Sequence, residues 1–331
     1  MRYYLRKFGF YLVALWAALT LNFFVPRLMP GNPVDVLLAK IAQRGGAPDP
    51  AVRRAYELLL GTRSGESLWS QYVAYLGKLA TGDLGISVSV FPAKVSDVIG
   101  QALPWTLALV GIATLLSFLL GVALGMLVGW KRGTWLDSLV PATTVLAAVP
   151  YFWLALIFAA VFASALGWFP LLGGYDVVLD PGWTAGFLGS ALAHGALPAL
   201  TIVVSSAGGW LLGMRNMMVS AGSEDYVLTA QAKGLRDTRV MVRYAARNAV
   251  LPSVAGFAIS LGFVVSGSIV TEQVFSYPGI GSKLLQAVQN SDYALMQGIF
   301  LVITVAVLGA NLAVDLLYGV IDARTRAREA A

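Results

Sequence analysis

The sequence predicts an all-α membrane protein that crosses the bilayer six times. Its 331 residues are 58% hydrophobic and only 12% charged, and the mean hydropathy is +0.74. Soluble domains carry about 25% charged residues. A helix needs about 20 predominantly apolar residues to cross a hydrocarbon core of about 30 Å. Six stretches reach that length, at about 8–28, 103–130, 138–166, 191–214, 249–271 and 296–319.

The basic residues predict how these six helices are oriented. The two short loops that lie outside when the N-terminus is inside, at about 167–190 and 272–295, contain only Lys283 as a basic residue. The short segments on the other side contain most of the remaining Lys and Arg. Because short cytoplasmic loops are enriched in Lys and Arg, both termini are predicted to be cytoplasmic. The net charge of +6 therefore reflects topology and does not indicate binding to nucleic acid.

The first helix, at residues 1–28, is followed by a long polar segment at 29–102. The helix starts with basic residues but has no A-x-A-like cleavage site, so it is predicted to be retained. The polar segment is predicted to lie outside the membrane and to contain one amphipathic helix. Its apolar residues at helical spacing are Leu68, Tyr72, Tyr75, Leu76 and Leu79. The segment is either a folded cap on the membrane domain or a docking surface for an external partner.

Residues 103–321 are predicted to form a core of five helices, followed by a basic cytoplasmic tail at 322–331. Leu-Pro pairs at 103–104, 197–198 and 251–252 are predicted to open helices two, four and five. A proline in the first turn of a helix loses no hydrogen bond, because its N–H would have no partner there.

Two further patterns concern the shape and packing of these helices. Pro150 lies near the middle of helix three and is predicted to kink it. Helix two contains Gly121, Gly125 and Gly129, which form two overlapping G-x-x-x-G repeats. Small residues at this spacing let helix backbones approach closely in lipid, so the glycines are predicted to form a packing face.

A charged segment at 215–248 separates helices four and five. Ser223 is predicted to cap a helix whose first turn carries Glu224 and Asp225. A serine side chain can accept a hydrogen bond from a free N–H at this position, and acidic residues suit the positive end of the helix dipole. The segment is therefore predicted to be ordered.

The same segment contains signals for a turn and a second helix. Gly234 is predicted to end the first helix, and Asp237 to cap a basic helix that continues into helix five. Ala230 and Ala232 are small enough to let a partner approach the first helix closely. From the residues alone, this helix either lies on anionic headgroups or inserts into a groove of a cytoplasmic partner.

Residues 224–235 resemble the cytoplasmic coupling loop of ATP-binding-cassette (ABC) importer permeases, and most closely the oligopeptide, dipeptide and nickel class. The residues of this loop that carry the resemblance, and to which it assigns contact with the ATPase, are Glu224, Asp225, Tyr226, Thr229, Ala230, Ala232, Lys233, Gly234 and Leu235. Further matching motifs are LMPGNP at 28–33, GDLG at 82–85, FSYPGIG at 275–281 and Asp292-Tyr293. The resemblance covers essentially the whole chain.

The resemblance implies a type I ABC importer permease in a bacterial or archaeal cytoplasmic (inner) membrane. It implies a second homologous permease subunit, two cytoplasmic ATPase subunits and an extracytoplasmic solute-binding protein as partners, besides the lipid bilayer. The solute it implies is a short peptide, with oligosaccharides and nickel complexes as alternatives. ATP and Mg would be bound by the partner ATPases, and this chain is expected to bind no cofactor.

One departure from the family pattern limits this transfer. The general importer loop begins with Glu-Ala-Ala six residues before its glycine, and Leu228, Thr229 and Ala230 occupy those positions here. An acidic contact made by that glutamate therefore cannot be assigned to this chain. Glu224 or Asp225 is the alternative source of such a contact.

No catalytic or metal site is predicted. The chain has no cysteine and one histidine, His194, which is predicted to be a hydrogen-bonded residue near the outer end of helix four. It also lacks the G-x-x-x-x-G-K-[ST] pattern of a phosphate-binding loop. The chain is therefore predicted to be a transport subunit without its own ATPase site.

Polar residues within the helices are candidates for the translocation path. They are Ser205, Ser206, Ser260, Ser266, Ser268, Thr271, Glu272 and Asp315. The hydroxyls either line this path or bond to carbonyls of their own helices. A carboxylate at the centre of a membrane helix costs about 2.5–3.5 kcal/mol on insertion scales, so Asp315 needs water or a basic neighbour. The main competing function is an ion-driven secondary transporter with Asp315 as its coupling site, although no repeat relates helices 1–3 to 4–6.

Overall fold

The computed structural model describes residues 2–29, 32–43, 50–60 and 67–321, and the predicted basic tail at 322–331 lies outside them. The described residues are helical apart from turns and one isolated bridge between Ile86 and Lys94. The α-helices are α1 (Arg2–Arg27), α2 (Pro33–Gln43), α3 (Pro50–Leu60), α4 (Leu68–Ala80), α5 (Val95–Trp130), α6 (Leu139–Ala148), α7 (Tyr151–Phe158), α8 (Ala185–Gly222), α9 (Asp225–Ala232), α10 (Asp237–Val240), α11 (Ala246–Ala249), α12 (Leu251–Val264), α13 (Ile269–Val274), α14 (Ile280–Gln289) and α15 (Tyr293–Ile321). Short π-helical segments at Ala159–Ala165 and Met241–Ala245 extend α7 and join α10 to α11.

Among the described residues, these helices contain up to six apolar spans long enough to cross a membrane. Four are straight enough to count singly, at Arg6–Arg27, Val95–Trp130, Ala185–Gly222 and Tyr293–Ala313. Two more are bent pairs, Val140–Leu146 with Tyr151–Ala165 at 90° and Asp237–Ala249 with Leu251–Val264 at 51°. The prediction of an all-α chain with six spans is confirmed when each bent pair is counted as one span. Pro150 lies at the 90° break, as predicted from its position in helix three.

The predicted start of helix two is wrong, because α5 begins at Val95 and contains Pro104 in its interior. The turns of α5 that precede the predicted start are stabilised by the burial of their apolar side chains. Val95, Val98 and Ile99 are at most 5% exposed in the core that they form with α14 and α15. Burying three such side chains stabilises the helix by about 1.5–3 kcal/mol each, which exceeds the cost of about 3 kcal/mol for an interior proline.

The predicted start of helix four is also wrong, whereas that of helix five is confirmed. Helix α8 begins at Ala185, and the Thr184 side chain caps it by accepting a hydrogen bond of 3.3 Å from the Phe187 N–H. Pro198 is therefore interior. Helix α12 does begin at Leu251, directly before Pro252.

The described residues divide into two compact units. The first is drawn from Met1–Thr106, Val265–Ile269 and Pro278–Ala331, and the second from Leu107–Val264 and Val270–Tyr277. In the first unit, the start of α5 packs against α14 and the start of α15. The Ile280 N–H at the start of α14 donates a buried hydrogen bond of 2.7 Å to the Thr106 hydroxyl.

A buried carboxylate joins distant parts of the first unit. Asp292 is fully buried, and its Oδ2 accepts hydrogen bonds from the Ser87 hydroxyl at 2.6 Å and the Ser89 N–H at 2.7 Å. Its Oδ1 accepts from the Leu295 N–H at 3.1 Å and so caps α15. One side chain therefore fixes the turn at 87–89 to the start of the last helix.

Helices α1 and α15 are joined by a polar contact. Asp315 Oδ2 lies 2.9 Å from Lys7 Nζ and accepts a hydrogen bond of 2.8 Å from the Tyr11 hydroxyl. The carboxylate that the sequence left without an assigned partner thus has a basic neighbour on the first helix.

In the second unit, the glycines of α5 pack against α8 as predicted. A Cβ at Gly121 would lie 2.5 Å from Ala207 O and from Trp210 Cβ. A Cβ at Gly129 would lie 2.6 Å from Met218 Cβ. Only glycine allows this approach, because real Cβ atoms do not come within 3.0 Å of such neighbours.

Candidate functional site

The charged segment between α8 and α12 folds onto the end of α8 in the second unit. Its apolar residues form a cluster that we call the loop core. The buried members of the loop core are Met214, Met218, Ala221, Val227, Ala230, Val240, Met241, Ala245, Ala246 and Ala249. Partly buried residues of α5, including Met126 and Trp130, pack against it. The short helix α9 therefore rests on the ends of two long helices.

Helix α9 has one buried side and one exposed side. Val227 is fully buried and Ala230 is 3% exposed, whereas Tyr226 is 37% and Leu228 is 49% exposed. We call the exposed residues Glu224, Asp225, Tyr226, Leu228, Thr229, Ala232 and Lys233 the exposed face of α9. An exposed leucine between polar neighbours is a feature of helices that dock into apolar grooves.

The expected role of Ala230 needs correction. Its small side chain was expected to admit a partner, but it lies in the loop core, and Ala232 is the exposed alanine. Because the side chain at position 230 contacts the protein's own core, its size matters for packing α9 onto α8.

The predicted caps at the N-terminal ends of both helices are also wrong. Ser223 ends α8, and its hydroxyl donates to Ser220 O at 2.8 Å, so Glu224 precedes α9 instead. Asp237 is the first residue of α10, and its carboxylate accepts a hydrogen bond of 3.0 Å from Trp130 Nε1. The Trp130–Asp237 bond connects the end of α5 to the loop, and sequence reasoning missed it because tertiary contacts over that separation leave no local pattern.

The predicted stop at Gly234 is confirmed. Gly234 has φ +72°, its N–H donates to Gln231 O at 2.9 Å, and the Leu235 N–H donates to Ala230 O at 3.4 Å. This pair of bonds is the Schellman arrangement, in which the left-handed residue is usually glycine. Leu235 packs on the loop core beside Ala230, so the turn fixes the end of α9.

The candidate path residues differ in their local surroundings. Ser205 donates to Thr201 O at 2.9 Å and Ser260 donates to Phe257 O at 2.7 Å, so both bond to their own helices. Ser206 is exposed, and Ser266 and Ser268 are half-buried. Asp315 contacts α1, as described above.

Thr271 and Glu272 are fully buried in α13. The Glu272 carbonyl accepts a hydrogen bond of 2.8 Å from the Tyr277 N–H. Burial, together with a smaller contribution from the charge of Glu272, raises the pKa of Tyr277 to about 12. Tyr277 is therefore a neutral hydrogen-bond donor throughout the physiological pH range.

The histidine prediction is confirmed. His194 Nδ1 lies 2.8 Å from Ser190 O in α8, so Nδ1 carries the proton in this hydrogen bond. This hydrogen bond to the backbone of its own helix gives His194 a structural role.

The chain is similar to known transport proteins over most of its length. The family model described as "Binding-protein-dependent transport system inner membrane component" matches residues 121–327. The chain is 33% identical to the di/tripeptide transport system permease protein of Pseudomonas aeruginosa, with 97% of each chain covered. It is 30% identical to the dipeptide transport system permease protein of Escherichia coli K12, with 98% of this chain and 99% of the relative covered. It is 29% identical to the oligopeptide transport system permease protein of Bacillus subtilis, with 92% of each chain covered.

Proposed function

Since this chain belongs to the family of binding-protein-dependent transport system inner membrane components, we propose that it is one of two permease subunits of an ABC importer. The second, homologous permease completes the translocation path. The observation that carries the proposal is α9, a short helix with one buried side and an exposed leucine at its other side. An ordered helix with this exposed side is suited to docking in a groove of a cytoplasmic partner.

The proposed topology follows from the basic residues. Both termini and the segment 215–248 face the cytoplasm, and the segments 29–102, 167–190 and 272–295 face the outside. Two cytoplasmic ATPase subunits, which bind ATP and Mg, contact the exposed face of α9 and its equivalent on the second permease. An external binding protein delivers the solute to the opposite side.

The proposed solute is a short peptide. The names of the relatives in Pseudomonas aeruginosa, Escherichia coli and Bacillus subtilis all specify peptides of this kind. Of the polar residues named above, Ser206, which is exposed, and Ser266 and Ser268, which are half-buried, are proposed to face the path.

Coupling would proceed through the loop core. When ATP binding closes the ATPase subunits, the groove that holds Leu228 moves and carries α9 with it. Val227 and Ala230 pack α9 against α8, and Trp130–Asp237 joins the loop to α5, so displacement of α9 shifts both helices. Packed interiors transmit such displacements because they have few voids and low compressibility.

The experiment that tests the function is purification of the assembled complex from native membranes in mild detergent. We expect an ATPase to co-purify, and its ATP hydrolysis in liposomes to rise when the external binding protein and a mixture of short peptides are added. Oligosaccharides or nickel complexes in place of peptides serve as matched controls. A chain that purifies without an ATPase would contradict the proposal.

Asp315 separates this function from ion-driven transport. An Asp315→Asn substitution removes the ion pair with Lys7, in which the Lys7 side chain is 27% and the Asp315 side chain 33% exposed. The substituted asparagine keeps an oxygen that can accept the hydrogen bond from the Tyr11 hydroxyl, so we expect the importer to keep its ATP-dependent transport. The measurement is peptide uptake into proteoliposomes with and without a proton gradient. If the unaltered chain took up peptide on a proton gradient without ATP, and the substitution abolished that uptake, Asp315 would instead be the coupling site of an ion-driven transporter.

A further inference from the structure

Helix α4 (Leu68–Ala80) has the composition of a helix in lipid. Its 13 residues, LWSQYVAYLGKLA, contain one charged residue, Lys78. The neighbouring helix α3 (Pro50–Leu60), with 11 residues, contains Arg53, Arg54 and Glu57. Helix α4 is amphipathic, and its exposed side has no protein covering it among the described residues. Helices of this kind lie in a membrane interface or dock on a partner.

The contacts of α4 place it at membrane depth. Its Tyr72 hydroxyl shares a hydrogen bond of 2.7 Å with Thr20 Oγ1 of α1, and the Tyr72 and Phe23 rings are 5.2 Å apart. Thr20 and Phe23 both lie within the apolar span Arg6–Arg27. Thr20 precedes the end of that span by two helical turns, or about 10 Å along the axis. The middle of α4 therefore lies beside the last two turns of a membrane helix.

A second set of contacts shows where α4 lies relative to the lipid headgroups. Arg27 Nε donates to Gln71 Oε1 at 3.4 Å, and its guanidinium carbon lies 3.7 Å from the centre of the Phe23 ring. Arg27 ends the span and marks the level of the headgroups. The Tyr75 ring also lies 5.4 Å from the Phe23 ring, so α4 stays beside the last two turns of α1, just below this level.

The length of α4 excludes a crossing. Thirteen residues reach about 20 Å, and the hydrocarbon core is about 30 Å thick. Helices that lie in an interface bury their apolar side about 5–10 Å below the headgroups, which matches the depth of Thr20.

The exposed side of α4 has the residues expected for contact with lipid. Leu68 is 55%, Trp69 is 69% and Val73 is 52% exposed, and Ser70, Ala74, Gly77 and Lys78 are exposed as well. The long side chain of Lys78 can keep its charge among the headgroups. Tryptophan is enriched at membrane interfaces, where its ring is buried and its N–H reaches the headgroups.

We propose that α4 is embedded in the outer leaflet beside α1, with Leu68, Trp69 and Val73 in contact with lipid. The occupant of this exposed face is the lipid of the outer leaflet, rather than the external binding protein or the second permease. A binding protein approaches from water and cannot reach residues beside Thr20. This inference concerns the segment predicted to lie wholly outside, and it does not depend on which solute is transported.

Because the chain has no cysteine, a single introduced thiol can report the environment of α4. The variants are Val73→Cys on the exposed face of α4 and, as the matched control, Ala55→Cys on the exposed side of α3. Trp69→Cys is a second reporter that replaces Val73→Cys if the latter does not assemble. The complete complex is reconstituted into liposomes, and each thiol is offered a membrane-impermeant maleimide and, separately, a nitroxide label.

We expect Ala55→Cys to react with the maleimide and Val73→Cys not to react. The nitroxide at position 73 should collide more often with oxygen, which partitions into lipid, than with a water-soluble nickel chelate, and the reverse should hold at position 55. Reaction at position 73 as fast as at position 55 would overturn the proposal. Protection of position 73 that requires added binding protein, or low accessibility to both oxygen and nickel chelate, would overturn it as well and assign the face to a protein.

Discussion

A Gly125→Val variant is expected to lose most of its correctly folded protein. A Cβ at this position meets Leu211 O, and lies 2.9 Å from Met214 Cβ, on the facing helix. Because one of these neighbours is a backbone carbonyl, no side-chain rotation can relieve the contact and α5 must move away from α8. Inserting methyl groups into a packed interface costs about 1–3 kcal/mol and occasionally more. The measurement is the yield of monodisperse protein in detergent and its thermal aggregation temperature.

Gly213→Val is the matched control. Gly213 lies in α8, and a Cβ there would have nothing within 4 Å. The same substitution at this position should leave yield and aggregation temperature close to those of the unaltered protein. Equal behaviour of the two variants would mean that α5 and α8 do not pack through the glycine face.

A Leu228→Glu variant is expected to separate the chain from its ATPase while leaving the membrane part folded. Leu228 is 49% exposed on α9, so a glutamate is solvated in the free chain. In an apolar groove of a partner the same carboxylate would be desolvated, which costs several kcal/mol per unpaired ion. We expect at least tenfold weaker retention of the ATPase, equivalent to about 1.4 kcal/mol, and loss of peptide-stimulated ATP hydrolysis.

Thr238→Glu adds the same charge to the same loop and serves as the control. Thr238 is exposed and lies in the first turn of α10, where an acidic residue suits the helix dipole. It should retain the ATPase and its stimulation. If Leu228→Glu also retained both, the exposed face of α9 would not be the ATPase contact.

The fold could be predicted from the sequence wherever one residue type acts locally. Apolar lengths gave the six spans, because each helix must cross the same hydrocarbon thickness. Pro150 and Gly234 marked a bend and a helix end, since proline removes a donor and glycine permits positive φ. The spacing of Gly121, Gly125 and Gly129 predicted a close helix contact, although not that α8 would be the partner.

The errors arose where tertiary packing decided the outcome. Leu103-Pro104 looked like a helix start, but burial of Val95 and its neighbours extends α5 upstream. Ala230 was expected to face a partner, because a single sequence does not show on which side a short helix is buried. The exposed leucine at position 228 was noted only as a departure from a family pattern, and its exposure became visible in the structure.

The polar contacts of the first unit also have a consequence for biosynthesis. The Tyr11 and Asp315 side chains are 304 residues apart in sequence, and those of Ser87 and Asp292 are 205 apart. At a translation rate of about 5–20 residues per second, Asp315 emerges tens of seconds after Tyr11. Throughout that interval α1 lies in the bilayer without its contact to α15. The turn at 87–89 likewise lacks the Asp292 carboxylate until that residue has been synthesised. This unit can therefore be completed only after Asp315 has been synthesised, and a nascent chain that stalls before residue 292 holds neither contact.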